Sequence, residues 1–210
     1  MTVKSSIDHR ELSKFSKTAR EWWDKGGEFK LLHEINPIRI EYLLSTIKKH
    51  KNIKDPTDSL NGLKLIDIGC GGGLACAPLS ELGADVTGLD ANECNIIASK
   101  EYAKANNLNI KYLHKTVEEH VLSKEQYDVV LCLEVIEHVA NPEEFVINAS
   151  KLVAPNGVLI FSTINRTSKA YSLAIIMAEK VLKWVPLGTH DYKKFIRPSE
   201  FNNMLKNSEM

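Results

Sequence analysis

The chain has 210 residues, enough for one domain with a substantial buried core. Its 27 basic and 27 acidic residues balance, so no strong electrostatic field favours nucleic acid as a partner. No apolar run approaches the roughly 20 residues that a bilayer-spanning helix needs, and no apolar signal segment opens the chain. The four cysteines form no CxxC pair, so we expect a reduced, cytoplasmic protein.

Two helices are predicted before the first strand. Asp8 and Glu11 are spaced as a capping box for the first helix. Asn36 is a suitable N-cap for the second helix, with Pro37 at its first position. We expect residues 1–62 to form an N-terminal helical lid and a linker that fold over the crevice of the following domain core.

The middle of the chain alternates between short apolar runs and helical patterns. Strands are predicted at 63–68, 85–89, 110–113, 128–133 and 158–163. Helices are predicted at 73–82, 92–106, 116–122 and 142–153. This alternation is typical of an α/β fold with a mostly parallel sheet and helices on both faces. We interpret residues 63–163 as a cofactor-binding core.

Residues 164–210 break this alternation with an apolar insertion, followed by a final helix that begins around Pro198. Apolar side chains recur at helical spacing in the insertion, namely Leu173, Ile176, Met177, Val181 and Trp184. One interpretation is a helix that packs on the domain and covers the pocket. The other is a surface that contacts a membrane or an apolar substrate.

The sequence LKLIDIGCGGG reads as a buried strand, 63–68, that enters a glycine-rich turn. Glycine is needed where φ is positive or where a ligand approaches the backbone. Leu74 replaces the third glycine of the dinucleotide-binding motif, so an ordinary tight turn is the alternative. Asp90 follows about 20 residues later at a strand end, where a carboxylate binds ribose hydroxyls. Asp67 is a buried carboxylate that could orient the turn or bind a ligand's ammonium group.

Two further polar clusters follow the core strands. Glu134, Glu137 and His138 come directly after the fourth strand, and a helix would place them on one face. Such a set could hold Mg²⁺, or the residues could simply cap backbone and pack. His190, beside Asp191, could anchor a substrate, with a surface loop as the alternative.

The motifs IDIGCGGG, VTGLD and YDVVLCLEVIEH resemble, in order and spacing, the Rossmann-like class I S-adenosylmethionine-dependent methyltransferases. The segments FSKTAREWWDKGGEFKLLHEINPIR, KTVEEH and GTHDYKKFIRPSE resemble more specifically the O-methyltransferases of ubiquinone biosynthesis. This resemblance covers almost the whole chain. Because the chain ends soon after KFIRPSEF, we expect the sheet to lack the last strands of that fold.

The resemblance implies a set of site residues. Carried over by match, the S-adenosylmethionine contacts are Arg39, Gly69, Asp90 and Leu133, and we also predict contacts from Asp67, Gly71 and Val117. Those predicted to bind magnesium are Glu134, Glu137 and His138, and His138 and Glu137 are also the candidate catalytic residues. The candidate substrate contacts are His190 and Trp184.

The resemblance also implies partners. The expected substrates are polyprenylated catechols, methylated on a hydroxyl at two steps of ubiquinone biosynthesis. Lipid contact at the periphery of the inner membrane and contact with other enzymes of the pathway are further expectations. An inactive or truncated S-adenosylmethionine-binding module that binds lipid or pathway enzymes is the alternative. An NAD-linked oxidoreductase is disfavoured by the absent third glycine and by the EVIEH cluster.

Overall fold

The computed structural model describes residues 6–54, 57, 59–181, 188 and 191–208. Its five strands are β1 (Lys64–Ile68), β2 (Asp85–Asp90), β3 (Lys111–His114), β4 (Tyr127–Leu133) and β5 (Val153–Ser162). Its α-helices are α1 (His9–Thr18), α2 (Lys30–Lys51), α3 (Cys76–Glu81), α4 (Glu93–Ala105), α5 (Val117–Val121), α6 (Pro142–Lys151), α7 (Ser168–Ala170) and α8 (Pro198–Lys206). Short 3₁₀ turns cover Ala19–Glu21, Ile136–His138 and Tyr192–Lys194.

The five strands form one sheet in the order β3-β2-β1-β4-β5, and every neighbouring pair is parallel. Alternate residues of each strand face opposite sides of the sheet. Leu65 of β1 therefore belongs to the core under α2, α3 and α4, whereas Ile66 and Ile68 belong to the core under α5, α6 and α8. The predicted parallel α/β fold with helices on both faces is confirmed.

The order of the strands places the ligand crevice. β1 pairs with β2 on one side and with β4 on the other, and the helices that precede these two neighbours, α3 before β2 and α5 before β4, pack on opposite faces of the sheet. At such a switch point, the loops after the carboxyl ends of the strands separate and leave a crevice. The glycine turn after β1, Asp90 at the end of β2 and Leu133 at the end of β4 all lie at this edge.

The N-terminal helices differ from the prediction. α2 begins at Lys30, so Asn36 and Pro37 lie inside the helix. Asn36 does not act as an N-cap, because its side-chain amide donates to the carbonyl of Leu74 at 2.8 Å. Asp8 does cap α1, accepting from the backbone N–H of Arg10 at 3.0 Å. Its predicted partner Glu11 instead points into the domain, so the capping box is only half formed.

The insertion continues from α7 into a π-helical segment, Tyr171–Val181. Ile175 is buried, while Tyr171, Leu173, Ile176 and Met177 remain exposed. Among the residues that the structure describes, no helix has the length and apolarity to span a bilayer.

Candidate active site

The glycine turn is built around the protein's own side chains. Gly69 has a φ of +75° and Gly71 a φ of +54°, which side-chain-bearing residues rarely adopt. A Cβ at Gly69 would lie 2.5 Å from Val135, and a Cβ at Gly71 would lie 2.5 Å from the indole of Trp22. A Cβ at Gly72 would lie 2.3 Å from the same indole. Glycine is therefore needed in this turn for its positive φ, as predicted. The groups that lie close to its backbone are protein side chains, with Val135 at Gly69 and Trp22 at Gly71 and Gly72.

Two tryptophans from the N-terminal segment clamp this turn. Trp22 stacks on Phe29 with ring centroids 3.8 Å apart, and its Nε1 donates to Asn95 Oδ1 at 2.9 Å. Trp23 stacks on Tyr102, and its Nε1 donates to the carbonyl of Gly72 at 2.9 Å. The N-terminal segment thus forms a fixed wall of the site rather than an isolated flap.

Asp90, the last residue of β2, is buried beside this turn. Its Oδ2 accepts from the backbone N–H of Gly71 at 2.9 Å, and its Oδ1 accepts from that of Asn92 at 2.7 Å. Burial raises the pKa of Asp90, and these two hydrogen bonds oppose the rise. The carboxylate links the glycine turn to the start of α4 and still has lone pairs for further donors.

Asp67 lies within β1 on the face toward α3 and is fully buried. Its Oδ2 accepts from Cys76 Sγ at 3.4 Å. Burial raises the pKa of Asp67 to about 6, and the cation of Arg39 opposes the rise. Arg39 forms no ion pair within the described part of the chain, so its guanidinium can bind an anionic group.

The raised pKa of Asp67 predicts a pH dependence of stability. The folded-state pKa of about 6 exceeds the ordinary 3.8 of an aspartate, so the folded protein holds the Asp67 proton more tightly than the unfolded chain does. The resulting contribution of Asp67 to the free energy of unfolding is complete below pH 3.8 and is lost as the pH rises through 6. In the ligand-free protein, we expect Asp67→Asn to reduce the loss of unfolding free energy between about pH 4 and pH 7 by about 3 kcal/mol. Urea unfolding at both pH values measures this. An unchanged difference would contradict the prediction.

Two apolar residues complete the cofactor side of the site. Val117 is the first residue of α5, which begins with a capping box between Thr116 and Glu119. Leu133 is the last residue of β4. Both line the same cavity as Asp90, so they offer an apolar surface next to the buried carboxylate.

Glu134, Glu137 and His138 follow β4, but not as one helical face. Glu134 has a φ of +53°, and the next residues form a 3₁₀ turn. Glu137 Oε2 accepts from Thr163 Oγ1 at 2.9 Å, whereas His138 Nδ1 bonds to Glu11 Oε2 at 3.1 Å. Burial, together with the charge of Glu134, raises the pKa of Glu137 to about 7.

This arrangement does not fit the predicted magnesium site. Over residues 6–54, 57, 59–181, 188 and 191–208, no three His, Cys, Asp or Glu side chains are grouped so that they could hold a metal ion. Glu137 Oε2 and His138 Nδ1 bond to different partners, Thr163 and Glu11. The structure therefore brings the three residues to one cavity without assembling them around a cation.

One cavity of about 1000 Å³ joins these elements. All seven predicted cofactor residues line it, namely Arg39, Asp67, Gly69, Gly71, Asp90, Val117 and Leu133. Glu134, Glu137 and His138 also line it. Its lining also includes the apolar side chains of Ile7, Leu12, Phe15, Leu32, Ile35, Ile164 and Leu173. This volume is at the upper end for ligand sites, which suits a cofactor together with a second ligand.

The predicted substrate contacts His190 and Trp184 lie outside the described residues. Three site residues were missed from the sequence: Glu11, Trp22 and Lys194. Trp22 lies in the WWD motif that contributes to the resemblance, but no local pattern places its ring on the glycine turn. Glu11 and Lys194 are far apart in the chain, and only the fold brings them together.

The cavity fits S-adenosylmethionine by the chemistry of its donors and acceptors. Asp90 offers a buried carboxylate, which suits ribose hydroxyls, and Arg39 offers a guanidinium that has no ion pair among the described residues, which suits a carboxylate. Asp67 adds a buried carboxylate without a hydrogen-bonded cation, as a ligand ammonium group requires. Val117 and Leu133 add an apolar surface of the kind that an aromatic base needs.

Comparison with known proteins agrees with this fit. The profile of a methyltransferase domain family matches residues 33–209. The chain is 52% identical over 206 residues to the ubiquinone biosynthesis O-methyltransferase of Rickettsia akari, covering 98% of this chain and 80% of that protein. The protein of the same name from Rickettsia felis is 50% identical over 206 residues, with 98% and 82% covered.

Solved structures share the fold at low identity. Magnesium protoporphyrin IX methyltransferase from Synechocystis PCC 6803 with bound S-adenosylmethionine has a TM-score of 0.64 at 16% identity, covering 98% of this chain and 88% of that one. The plantazolicin methyltransferase BamL in complex with a triazolic desmethylPZN analog and SAH has a TM-score of 0.65 at 17% identity, covering 96% of this chain and 76% of that one. The methyltransferase domain profile and the extended match to the Rickettsia proteins place the chain in the ubiquinone biosynthesis O-methyltransferase family.

Proposed function

We propose that this chain methylates a catechol hydroxyl of polyprenylated intermediates in ubiquinone biosynthesis, at the 3-demethylubiquinol and 2-polyprenyl-6-hydroxyphenol steps. The family membership makes it an S-adenosylmethionine-dependent O-methyltransferase that acts on a polyprenylated quinone-type substrate. The observation that carries the finer proposal is the single cavity, whose lining combines the proposed cofactor residues with many apolar side chains. A ligand with a polar ring and an apolar tail would suit such a mixed lining.

The cofactor, when bound, supplies a sulfonium methyl group for transfer to oxygen. The chain's residues hold it in place: Asp90 accepts from the ribose hydroxyls, and Arg39 pairs with the carboxylate. Asp67 accepts from the ammonium group, and Gly69 and Gly71 line the same cavity. Positioning supplies most of the rate enhancement, because it makes the transfer effectively unimolecular.

Glu137 and His138 border the place where the catechol ring would meet the cofactor residues. In the reaction, a bond forms between the hydroxyl oxygen and the methyl carbon, and the bond from that carbon to sulfur breaks. The hydroxyl proton leaves to a base, for which we propose the imidazole of His138. Glu137, whose pKa is raised to about 7, is a second proton acceptor near the same site.

Activity in the presence of a chelator tests the role of metal. The described side chains do not gather around a cation, so we expect methyl transfer to continue when magnesium is removed. Loss of transfer with chelator and its recovery on adding magnesium would show that the loop after β4 rearranges around the ion. If methyl transfer is unchanged with chelator, the hydroxyl proton of the catechol is removed by protein side chains without a metal ion.

We also propose that exposed apolar side chains near the cavity help to reach substrate dissolved in a membrane. Tyr171, Leu173, Ile176 and Met177 are exposed in the insertion, and Leu173 also lines the cavity. Lys169 lies beside them and is exposed, which suits an anionic lipid surface. The resemblance further suggests contact with other enzymes of the pathway.

We expect the double variant Leu173→Ser and Ile176→Ser to bind anionic phospholipid vesicles about 100-fold more weakly or worse, because two apolar side chains buried in lipid together contribute roughly 3–6 kcal/mol. Vesicle sedimentation measures the bound fraction. Leu122→Ser, at an exposed position at the end of α5, is the matched control and should leave binding unchanged. Equal binding by the double variant and the wild type would contradict the proposal.

A further inference from the structure

The imidazole of His138 is held by α1 rather than by its own loop. His138 Nδ1 lies 3.1 Å from Glu11 Oε2. Phe15, one turn further along α1, meets the imidazole edge-on with ring centroids 5.1 Å apart. Glu11, Phe15 and His138 all line the cavity. The orientation of the ring is therefore set by two side chains that are remote in sequence.

The bond to Glu11 selects one form of the ring. A carboxylate only accepts hydrogen bonds, so the nitrogen that faces it, Nδ1, carries the hydrogen. In the neutral imidazole, the other nitrogen, Nε2, then has the free lone pair. Nε2 has no hydrogen-bond partner in the described part of the chain. The nitrogen available to a substrate hydroxyl is thus Nε2.

Lys194 fixes the carboxylate in turn. Its Nζ donates to Glu11 Oε1 at 3.1 Å and to Asp8 Oδ2 at 2.9 Å. Glu11 therefore uses one oxygen for the lysine and the other for His138. Lys194 belongs to the 3₁₀ turn Tyr192–Lys194 after the insertion, so three distant segments meet at one carboxylate.

We propose that Glu11 is a positioning residue for methyl transfer, which orients His138 and keeps the lone pair of Nε2 toward the cavity. The inference rests on the proposed function, in which His138 accepts the hydroxyl proton. It adds that this base depends on α1 and on the turn at Lys194. Methyl transfer would then require that α1 and the turn at Lys194 are both folded in place.

The variant Glu11→Gln tests the proposal because it keeps the shape of the side chain. A glutamine has one acceptor oxygen, and the charged ammonium of Lys194 forms the stronger hydrogen bond to it. The amide NH₂ then faces Nδ1, which favours the tautomer with hydrogen on Nε2. We expect kcat to fall by roughly 100-fold, while the Kd for S-adenosylmethionine stays within about twofold because Glu11 is not among the proposed cofactor residues.

The second readout is the tautomer itself. ¹⁵N NMR of histidine-labelled protein, at a pH about two units above the ordinary histidine pKa, should show hydrogen on Nδ1 of His138 in the wild type and on Nε2 in Glu11→Gln. His138→Asn assigns the signal among the seven histidines. This readout needs no substrate, so it judges the positioning role even if the catechol proves to be the wrong substrate.

A double variant separates positioning from damage to the fold. When Lys194→Met is combined with Glu11→Gln, the amide oxygen is free to turn to Nδ1, and we expect part of kcat and the Nδ1–H signal to return. Glu21→Gln, an exposed glutamate after α1, should leave kcat and the His138 signal unchanged. Wild-type kcat and an unchanged tautomer in Glu11→Gln would overturn the proposal.

Discussion

Replacing Asp90 with alanine is expected to weaken S-adenosylmethionine binding by about 100-fold or more. Hydrogen bonds to a charged group contribute roughly 1.5–3 kcal/mol each, and the proposed carboxylate makes two to the ribose. The substitution also leaves the backbone N–H groups of Gly71 and Asn92 without their acceptor. The turn that lies against the cofactor would therefore lose its support as well as its ligand contact. Isothermal titration calorimetry measures the change.

Asp85→Ala is the matched control for this substitution. Asp85 begins the same strand, β2, but it is exposed at the opposite edge of the sheet. We expect its Kd for the cofactor to equal that of the wild type. If Asp90→Ala also bound the cofactor with wild-type affinity, the crevice beside the glycine turn would not be the cofactor site.

Trp22→Ala is expected to destabilise the protein by about 3–5 kcal/mol, the usual cost of removing a buried tryptophan. The indole covers Gly71 and Gly72, stacks on Phe29 and donates to Asn95. Its loss would leave a void directly under the glycine turn, so cofactor affinity should fall together with stability. Denaturant unfolding and calorimetric titration measure the two effects.

Two further variants serve as controls for Trp22→Ala. Trp22→Phe keeps the stacking on Phe29 but loses the indole N–H, so we expect it to fall between the wild type and Trp22→Ala. Tyr42→Ala removes an exposed aromatic side chain from α2 and should change stability by less than about 0.5 kcal/mol. A Trp22→Ala protein with wild-type stability would show that the N-terminal segment is not part of the folded site.

Local patterns in the sequence predicted most of the core. The apolar runs of the strands and the glycine turn depend on neighbouring residues, and the structure has them within one residue of the predicted start, except that β5 begins at Val153 instead of Val158. Since parallel strands align their carboxyl ends, the seven predicted cofactor residues also meet at one cavity. Their individual roles stay predictions.

The misses have a common physical cause, which is contact between segments remote in the chain. Asn36 has the composition of an N-cap, but packing against Leu74 allows α2 to start a full turn or more earlier. Glu11 has the spacing of a capping box, but His138 and Lys194 supply stronger partners. Local spacing cannot reveal partners that only the folded chain brings close.

The loop after β4 shows the same limit. Spacing placed Glu134, Glu137 and His138 on one helical face, whereas the left-handed backbone at Glu134 turns the following residues into a 3₁₀ turn. Each side chain then finds a different environment, and Thr163 is the partner of Glu137. The helical face is therefore wrong, and the magnesium site stays a prediction.

The most direct test is methyl transfer from methyl-labelled S-adenosylmethionine to a short-chain prenylated catechol, measured with the purified protein. We predict that label appears on a catechol oxygen and that S-adenosylhomocysteine forms in equal amount. Cofactor binding is measured on the same sample. Bound cofactor without any transfer would contradict the proposed function and would favour a binding module that has no catalytic role.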